Sequence, residues 1–325
     1  GQETGTENED ALVGHPKRLL RKGGKTMAKS IDELIAMIDA IPDVPAKPGE
    51  YILPELMAIA IANEVRNDDI VFAGTGLPMV GIMTANFTNA PNALLIYEAG
   101  ICDGKTMHVP MSVCDQRAAN MSSSLGGLVD TFGYYLQQGF VTLGFLGGAA
   151  IDKYGGVNVT SIGDYYQPQH RFTGSGGNSD IGTMAHRTAF IILQEKRRFL
   201  ERNEYTTTPG HWCWDWKTGE WKPRKEVWKG TPFETCGPEA VVTNMGTYRF
   251  DGNGEIYLET YHPGVTVEKV KENCGFDLNV SKVKGETRHP TYRELFVLRE
   301  FVDAELIFLP QKVEYPPDVL KIINS

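Results

Sequence analysis

Cysteine is scarce in this 325-residue chain: Cys102, Cys114, Cys213, Cys236 and Cys274 are odd in number, widely separated and contain no C-x-x-C pair. Neither a disulfide framework nor a zinc site is implied, and a reducing cytoplasm is the expected compartment. No apolar run approaches the roughly 18 residues that a membrane span needs, so no membrane association is expected. Positive charge is in deficit, with 32 Lys and Arg against 41 Asp and Glu for a net charge of −9. Such a balance supplies no basic duplex-binding surface, and no nucleic-acid partner is expected. The seven histidines show no H-E-x-x-H or other ligand spacing, so no metal is implied. Ser122, Ser123 and Ser124 lack the G-x-S-x-G frame of a nucleophile elbow.

What the chain does have is enough apolar content, 41%, to bury a core at this length. Residues 1–26 are polar and acidic, then basic, with no apolar segment of a secretory signal. They read as a disordered extension, or as the product of a misassigned start with Met27 the true first residue. Residues 27–50 hold a capping box, Ser30-Ile-Asp-Glu33, a short amphipathic helix stopped by Pro42, and a stiff linker of Pro42, Pro45, Pro48 and Gly49. Residues 51–310 form the expected folded domain and 311–325 a C-terminal tail.

Inside that domain Pro54–Arg66 is helix-periodic, Asp69–Ala73 is a strand running into a Gly-rich turn, Met79–Asn86 is helical, and Ala93–Tyr97 is a further apolar run. The rhythm returns at Tyr134–Gln138, Val141–Gly147 and Ala189–Arg202, and Val241–Leu258 reads as a β-meander turned at Asp251-Gly-Asn-Gly254. The predicted class is α/β, an open mostly parallel sheet with helices on both faces and a peripheral β-meander.

Four stretches could carry chemistry. Gly74-Thr-Gly-Leu-Pro78 lies between strand and helix, where backbone N–H groups converge on an anion. Met79 stands where a dinucleotide fingerprint needs its third glycine, and a plain tight turn explains the segment equally well. Glu98 follows the apolar strand and precedes Ala99-Gly100, at the strand end where α/β sheets hold active sites, so it is a candidate nucleophile or else a cap or surface ion-pair partner. Gly147-Gly148, Gly155-Gly156 and Thr173-Gly-Ser-Gly-Gly-Asn178 could aim N–H groups at developing negative charge, or be structural loops. Trp212, Trp214, Trp216, Trp221 and Trp228 suggest an aromatic ligand platform or, more simply, packing.

Together these pieces resemble the β subunits of class I CoA-transferases, the glutaconate CoA-transferase branch in particular, over roughly residues 56–310. The matching stretches are Gly-Thr-Gly-Leu-Pro (74–78), Tyr-Glu-Ala-Gly (97–100), Gly-Gly-Ala-Ala-Ile-Asp-Lys-Tyr-Gly (147–155), Ser-Ile-Gly-Asp-Tyr (161–165), Arg-Phe-Thr-Gly-Ser-Gly-Gly (171–177), Gln-Glu-Lys-Arg-Arg-Phe (194–199) and Gly-Phe-Asp-Leu-Asn-Val-Ser (275–281). The resemblance implies that Glu98 attacks an acyl-CoA thioester and later carries CoA itself as a glutamyl thioester. It also implies that Gly174, Gly176 and Gly177 form the oxyanion and CoA-binding loop and that Gly74 and Gly76 form the first anion turn. A coenzyme A thioester is then a substrate, no cofactor is tightly bound, and an α subunit partner completes a heterotetramer or larger assembly. The chain departs from the pattern at Ala99, where Ser or Asn is usual, and in the extended Trp212–Trp228 stretch. Two other readings stand beside transfer: a CoA-ester or ring-cleaving hydrolase on the same fold, whose known members lack the nucleophilic Glu, and a non-catalytic acyl-CoA-binding subunit.

Overall fold

The computed structural model describes residues 18–22, 25–29, 31–104, 106 and 108–324. Its centre is a nine-stranded sheet built from β1 (Ile70–Phe72), β2 (Leu94–Ile96), β3 (Ile101–Cys102), β4 (Ser124–Leu125), β5 (Leu143–Gly147), β6 (Arg187–Ile191), β7 (Pro238–Val242), β8 (Gly246–Phe250) and β9 (Ile256–Tyr261). The spatial order is β9-β8-β7-β6-β5-β1-β2-β3-β4. β7, β6, β5, β1 and β2 run parallel. The two outer pairs, β8–β9 and β3–β4, are antiparallel.

The parallel strands are apolar on both sides because each face carries its own core. Val71, Ala189 and Val242 enter one core, while Phe72, Phe190 and Val241 enter the other, which is the period-two alternation of a strand. The first face is covered by α2 (Leu53–Ala62), α3 (Leu77–Asn86) and the helical stretch 292–302, onto which α1 (Ile31–Ala40) packs. A Cβ on Gly81 of α3 would lie 2.6 Å from the Ala58 carbonyl of α2, so glycine sets how closely those two helices cross. The second face is covered by α4 (Asn178–Met184), the wide turn Asp130–Leu136 and the short helix Val267–Glu272. The expected α/β class, with helices on both faces, is the observed one.

The peripheral meander is present as β7, β8 and β9 at one edge of the main sheet, and Gly254 N–H closes its turn on the Asp251 carbonyl at 2.9 Å. Residues 189–202, where the rhythm returns, are β6 followed by an irregular loop to the short strand Phe199–Leu200. Residues 42–49, the expected stiff Pro-rich linker, lie against the domain. Proline fixes an extended backbone there, and Ala46 N–H donates to the Pro290 carbonyl at 2.8 Å while Tyr292 N–H donates to that of Val44 at 3.1 Å. Ile38, Ile41 and Ala46 are buried in the first core. The tail likewise forms the helix Pro317–Asn324, with Val319 buried. Arg18–Lys22 pairs with Lys25–Lys29 as an antiparallel ribbon, while the expectations for residues 1–17 and for a cap at Ser30 lie outside the described residues. Among the described residues no helix is long and apolar enough to cross a membrane.

Candidate active site

The chain leaves β1 for β2 on one side and returns through β5 on the other. The crevice beyond the carboxyl ends of β1 and β5 is therefore the topological switch point, where open α/β sheets hold ligands. Phe72 is paired with both Ile96 and Gly144, so the segments that follow β1, β2 and β5 emerge side by side. They are the turn at 74–76, the tip carrying Glu98, and Gly147, to which the 174–177 turn is tied.

Gly74 sits where a Cβ would be 2.7 Å from the Phe145 carbonyl oxygen of β5, so only glycine lets the turn cross over that strand. Gly76 has φ +94° and directly precedes α3.

Glu98 belongs to the tight connection between β2 and β3. Tyr97 N–H donates to the Ile101 carbonyl at 2.9 Å, and Gly100 N–H donates to that of Tyr97 at 3.0 Å. Gly100 has φ +102°, and a Cβ there would meet the Gly126 carbonyl carbon at 2.3 Å. The tip is thus clamped by the stretch 126–132: Gly126 N–H donates to the Gly100 carbonyl at 2.8 Å, and Thr131 Oγ1 donates to the Glu98 carbonyl at 3.1 Å. Asp130 Oδ2 secures the clamp by accepting Gly127 N–H at 2.7 Å.

The Glu98 carboxylate itself is partly buried and, among the described residues, makes no hydrogen bond or ion pair. Burial with no compensating cation pushes its pKa above the ordinary carboxylate value. Its nearest landmark is Gly177. A Cβ on that glycine would lie 2.6 Å from Glu98 Oε1 and 2.7 Å from Phe132 Cζ. Phe132 in turn packs on Phe72 of β1, ring centroids 5.1 Å apart. Gly174 and Gly176 have φ +92° and +48°, with open space where their side chains would be. Asn178 Nδ2 donates to the Gly147 carbonyl at 3.0 Å and fastens this turn to the end of β5. A partly desolvated carboxylate beside two glycine turns, with open space at Gly174 and Gly176, is an arrangement able to attack an electrophilic carbon.

Gly155 and Gly156 serve a different purpose. Asp152 Oδ1 accepts N–H bonds from Tyr154 at 3.0 Å and Gly156 at 2.9 Å, and the turn packs on Pro238 and Phe250. The tryptophans build a hairpin, Trp212–Asp215 with Glu220–Pro223, whose Trp221 ring stacks on Arg202 at 4.4 Å while Trp214 and Trp216 face outward. Sequence reasoning missed the clamp residues Asp130, Thr131 and Phe132, for which the Gly126-Gly127 pair was the one available signal.

A coenzyme A transferase family model matches residues 55–273. The chain is 38% identical over 269 residues to the β subunit of the glutaconate CoA-transferase of Acidaminococcus fermentans, covering 81% of this chain and 97% of that protein. It is 34% identical over 251 residues to the β subunit of the 3-oxoadipate CoA-transferase of Pseudomonas knackmussii, covering 77% and 92%. The crystal structure of the Acidaminococcus glutaconate CoA-transferase superposes with a TM-score of 0.71 at 36% identity, over 82% of this chain and 98% of that one. The strand order, the paired glycine turns and these likenesses agree: the chain belongs to the coenzyme A transferase family.

Proposed function

We propose that this chain is the nucleophile-bearing subunit of a CoA-transferase that moves CoA from an acyl-CoA to a free carboxylic acid by ping-pong catalysis through Glu98. The observation that carries the reading is the Glu98 carboxylate, without a hydrogen-bond or ion-pair partner among the described residues, set against Gly177 at the switch point. A carboxylate without a counter-ion keeps its electron pair free for attack, and partial desolvation raises its basicity.

The steps conserve the thioester's activation. Glu98 oxygen attacks the acyl-CoA carbonyl, the C–S bond breaks, and an acyl-glutamyl anhydride and CoA thiolate form. The thiolate attacks the glutamyl carbonyl, expelling the first acid as its carboxylate and leaving a glutamyl-CoA thioester. The acceptor carboxylate attacks that thioester, and the released thiolate takes the acceptor acyl group, restoring Glu98. Gly174 N–H is already donated to the Val159 carbonyl at 3.2 Å, so the N–H groups of residues 175–177 and of the 74–76 turn are assigned to the oxyanions that develop at each attack.

Water must be kept out, because it would hydrolyse the anhydride and the thioester. Leu125, Leu128 and Val129 are exposed beside the Glu98 tip, and we assign this apolar rim to an α subunit that closes the site in a heterotetramer or larger assembly.

The test is to incubate the assembled enzyme with an acyl-CoA and then borohydride. Hydride reduction of the glutamyl thioester releases CoA thiol, leaves an alcohol at Glu98 visible by peptide mass, and abolishes turnover. Unmodified, active enzyme would overturn the covalent route, and CoA released to water without any acid acceptor would favour hydrolysis instead.

A further inference from the structure

Two stretches that carry the family resemblance, 194–199 and 275–281, play no part in the chemistry above, yet the fold locks them together at the carboxyl edge of the sheet. Gln194 is buried and bonded on all sides: its N–H donates to Asn244 Oδ1 at 2.6 Å, its Nε2 to the Val270 carbonyl at 3.2 Å, and its Oε1 accepts from Thr243 Oγ1 at 3.1 Å and from the Tyr248 hydroxyl. From the other side Gly275 N–H donates to the Phe199 carbonyl at 2.7 Å, and a Cβ on Gly275 would lie 3.1 Å from the Lys196 carbonyl oxygen. A loop held so firmly displays what it carries in a fixed place.

It carries Lys196, Arg197 and Arg198 in succession, with Lys196 and Arg197 exposed. One carboxylate answers them: Glu195 lies 2.5 Å from Arg197 and 3.4 Å from Arg198. The neighbouring acids are engaged elsewhere, Glu201 with Lys153 and Asp277 with Lys271, and Lys196 has no ion-pair partner among the described residues. The loop is therefore a locally cationic shelf on a chain of net charge −9.

A path connects this shelf to Glu98. Arg198 Nη1 donates to the Ala149 carbonyl at 3.3 Å, just beyond Gly147-Gly148. Gly147 accepts from Asn178, and Asn178 follows Gly177, which touches the Glu98 carboxylate. A Cβ added at Gly147, Gly174 or Gly176 would meet nothing within 4 Å, so the path is bordered by open space. β6, which leads into the shelf, lies three strands from β2, about 15 Å at ~4.8 Å per strand. An extended pantetheine arm spans a distance of that order.

We propose that Lys196, Arg197 and Arg198 bind the phosphates at the nucleotide end of coenzyme A, with the pantetheine arm passing over Gly147 to bring the thioester to Glu98. The assignment rests on the CoA-transferase reading and adds the seat of the nucleotide end. Phosphate oxygens suit a cluster of guanidinium and ammonium donors, and exposed cations make the contact sensitive to salt.

The test compares the wild-type complex with the doubly substituted K196A/R197A complex, using an acyl-CoA and the matching acyl-pantetheine thioester, which lacks every phosphate. Expected results are a KM for acyl-CoA raised about tenfold or more with little change in kcat, unchanged kinetics with acyl-pantetheine, and a weakened salt dependence of KM. Gly147→Leu, which blocks the path, raises KM for both thioesters. An unchanged KM for acyl-CoA in the double variant overturns the proposal while leaving the transferase reading intact. A complex that fails to assemble assigns the shelf to the subunit contact instead. For a wild-type complex with no transferase activity, CoA titrated calorimetrically against both proteins separates the two ideas: binding weakened in the variant supports the shelf, and equal binding rejects it.

Discussion

Glu98 stood out in the sequence because an apolar strand delivered one acid to an Ala-Gly turn, but the sequence could not say whether that acid was paired. Its isolation is a three-dimensional fact, set by the 126–132 clamp and by Gly177, which lie 28 or more positions away in the chain. Replacing the carboxylate by an amide, Glu98→Gln, removes the nucleophile at nearly constant shape, and turnover should fall by at least ~10³-fold in a steady-state assay. The raised pKa also fixes a sign. Attack needs the ionised form, so the acid limb of kcat/KM for the wild type should lie above the ordinary carboxylate range. For stability the direction is opposite to that of a salt-bridged acid. The unfolded chain ionises Glu98 at lower pH than the folded one, so this residue subtracts stability once the pH rises past the ordinary carboxylate value, and the loss is complete above the folded pKa. Glu98→Gln should consequently be more stable than wild type near pH 7, with the difference vanishing in acid. Urea denaturation at both pH values checks this, and equal midpoints at pH 7 would contradict the desolvated carboxylate.

Helices and strands were readable where neighbours in sequence decide them. The 69–86 strand, turn and helix follow from apolar spacing and glycine placement within eighteen residues, and they form as expected. The irregular loop after β6 is not legible in the sequence, because its apolar residues, Ile192 and Phe199, pack into the second core from a backbone pinned by Gln194, a long-range bond that no periodicity reports. The closeness of the 174–177 turn to Glu98 was hidden for a related reason, since it follows from β5 inserting beside β1. That closeness makes Gly177 a sharp test. Its backbone, φ −78° and ψ −5°, suits any residue, so Gly177→Ala introduces no backbone strain. The new methyl group would nevertheless stand 2.6 Å from Glu98 Oε1 and 2.7 Å from the Phe132 ring, so one of them must move. Displacing the reacting group by about 1 Å costs on the order of 10²-fold in kcat. Gly252→Ala, in the β8–β9 turn away from the site and with nothing within 4 Å of the added methyl group, serves as the control with unaltered kcat. Comparable activity in the two variants would mean that Glu98 does not work from this position.

The whole fold is closed by contacts between residues 50–55 and the C-terminal helical layer, which are distant in sequence. Glu55 at the start of α2 and Arg299 in the 292–302 stretch are buried to 0% and 1% side-chain exposure and form a two-point pair, Nε to Oε1 at 2.6 Å and Nη2 to Oε2 at 2.9 Å. Arg299 Nη2 also donates to the Glu50 carbonyl at 2.8 Å, and Glu55 Oε2 accepts the Ile52 N–H at 2.9 Å, so the pair fastens residues 50–55 to the C-terminal helical layer. The Tyr315 ring, 4.9 Å from the guanidinium, brings the tail into the same arrangement. Charges taken so far out of water are stable only as a pair, so removing one partner leaves the other desolvated and alone. Arg299→Met should destabilise the protein by about 3–5 kcal/mol, measured as a lower urea midpoint. Adding Glu55→Leu should return most of that loss, because two apolar residues of similar volume leave no buried charge behind. If the double variant is as unstable as the single one, the hydrogen bonds to the Glu50 carbonyl and the Ile52 N–H, rather than the ion pair, join residues 50–55 to the C-terminal helical layer.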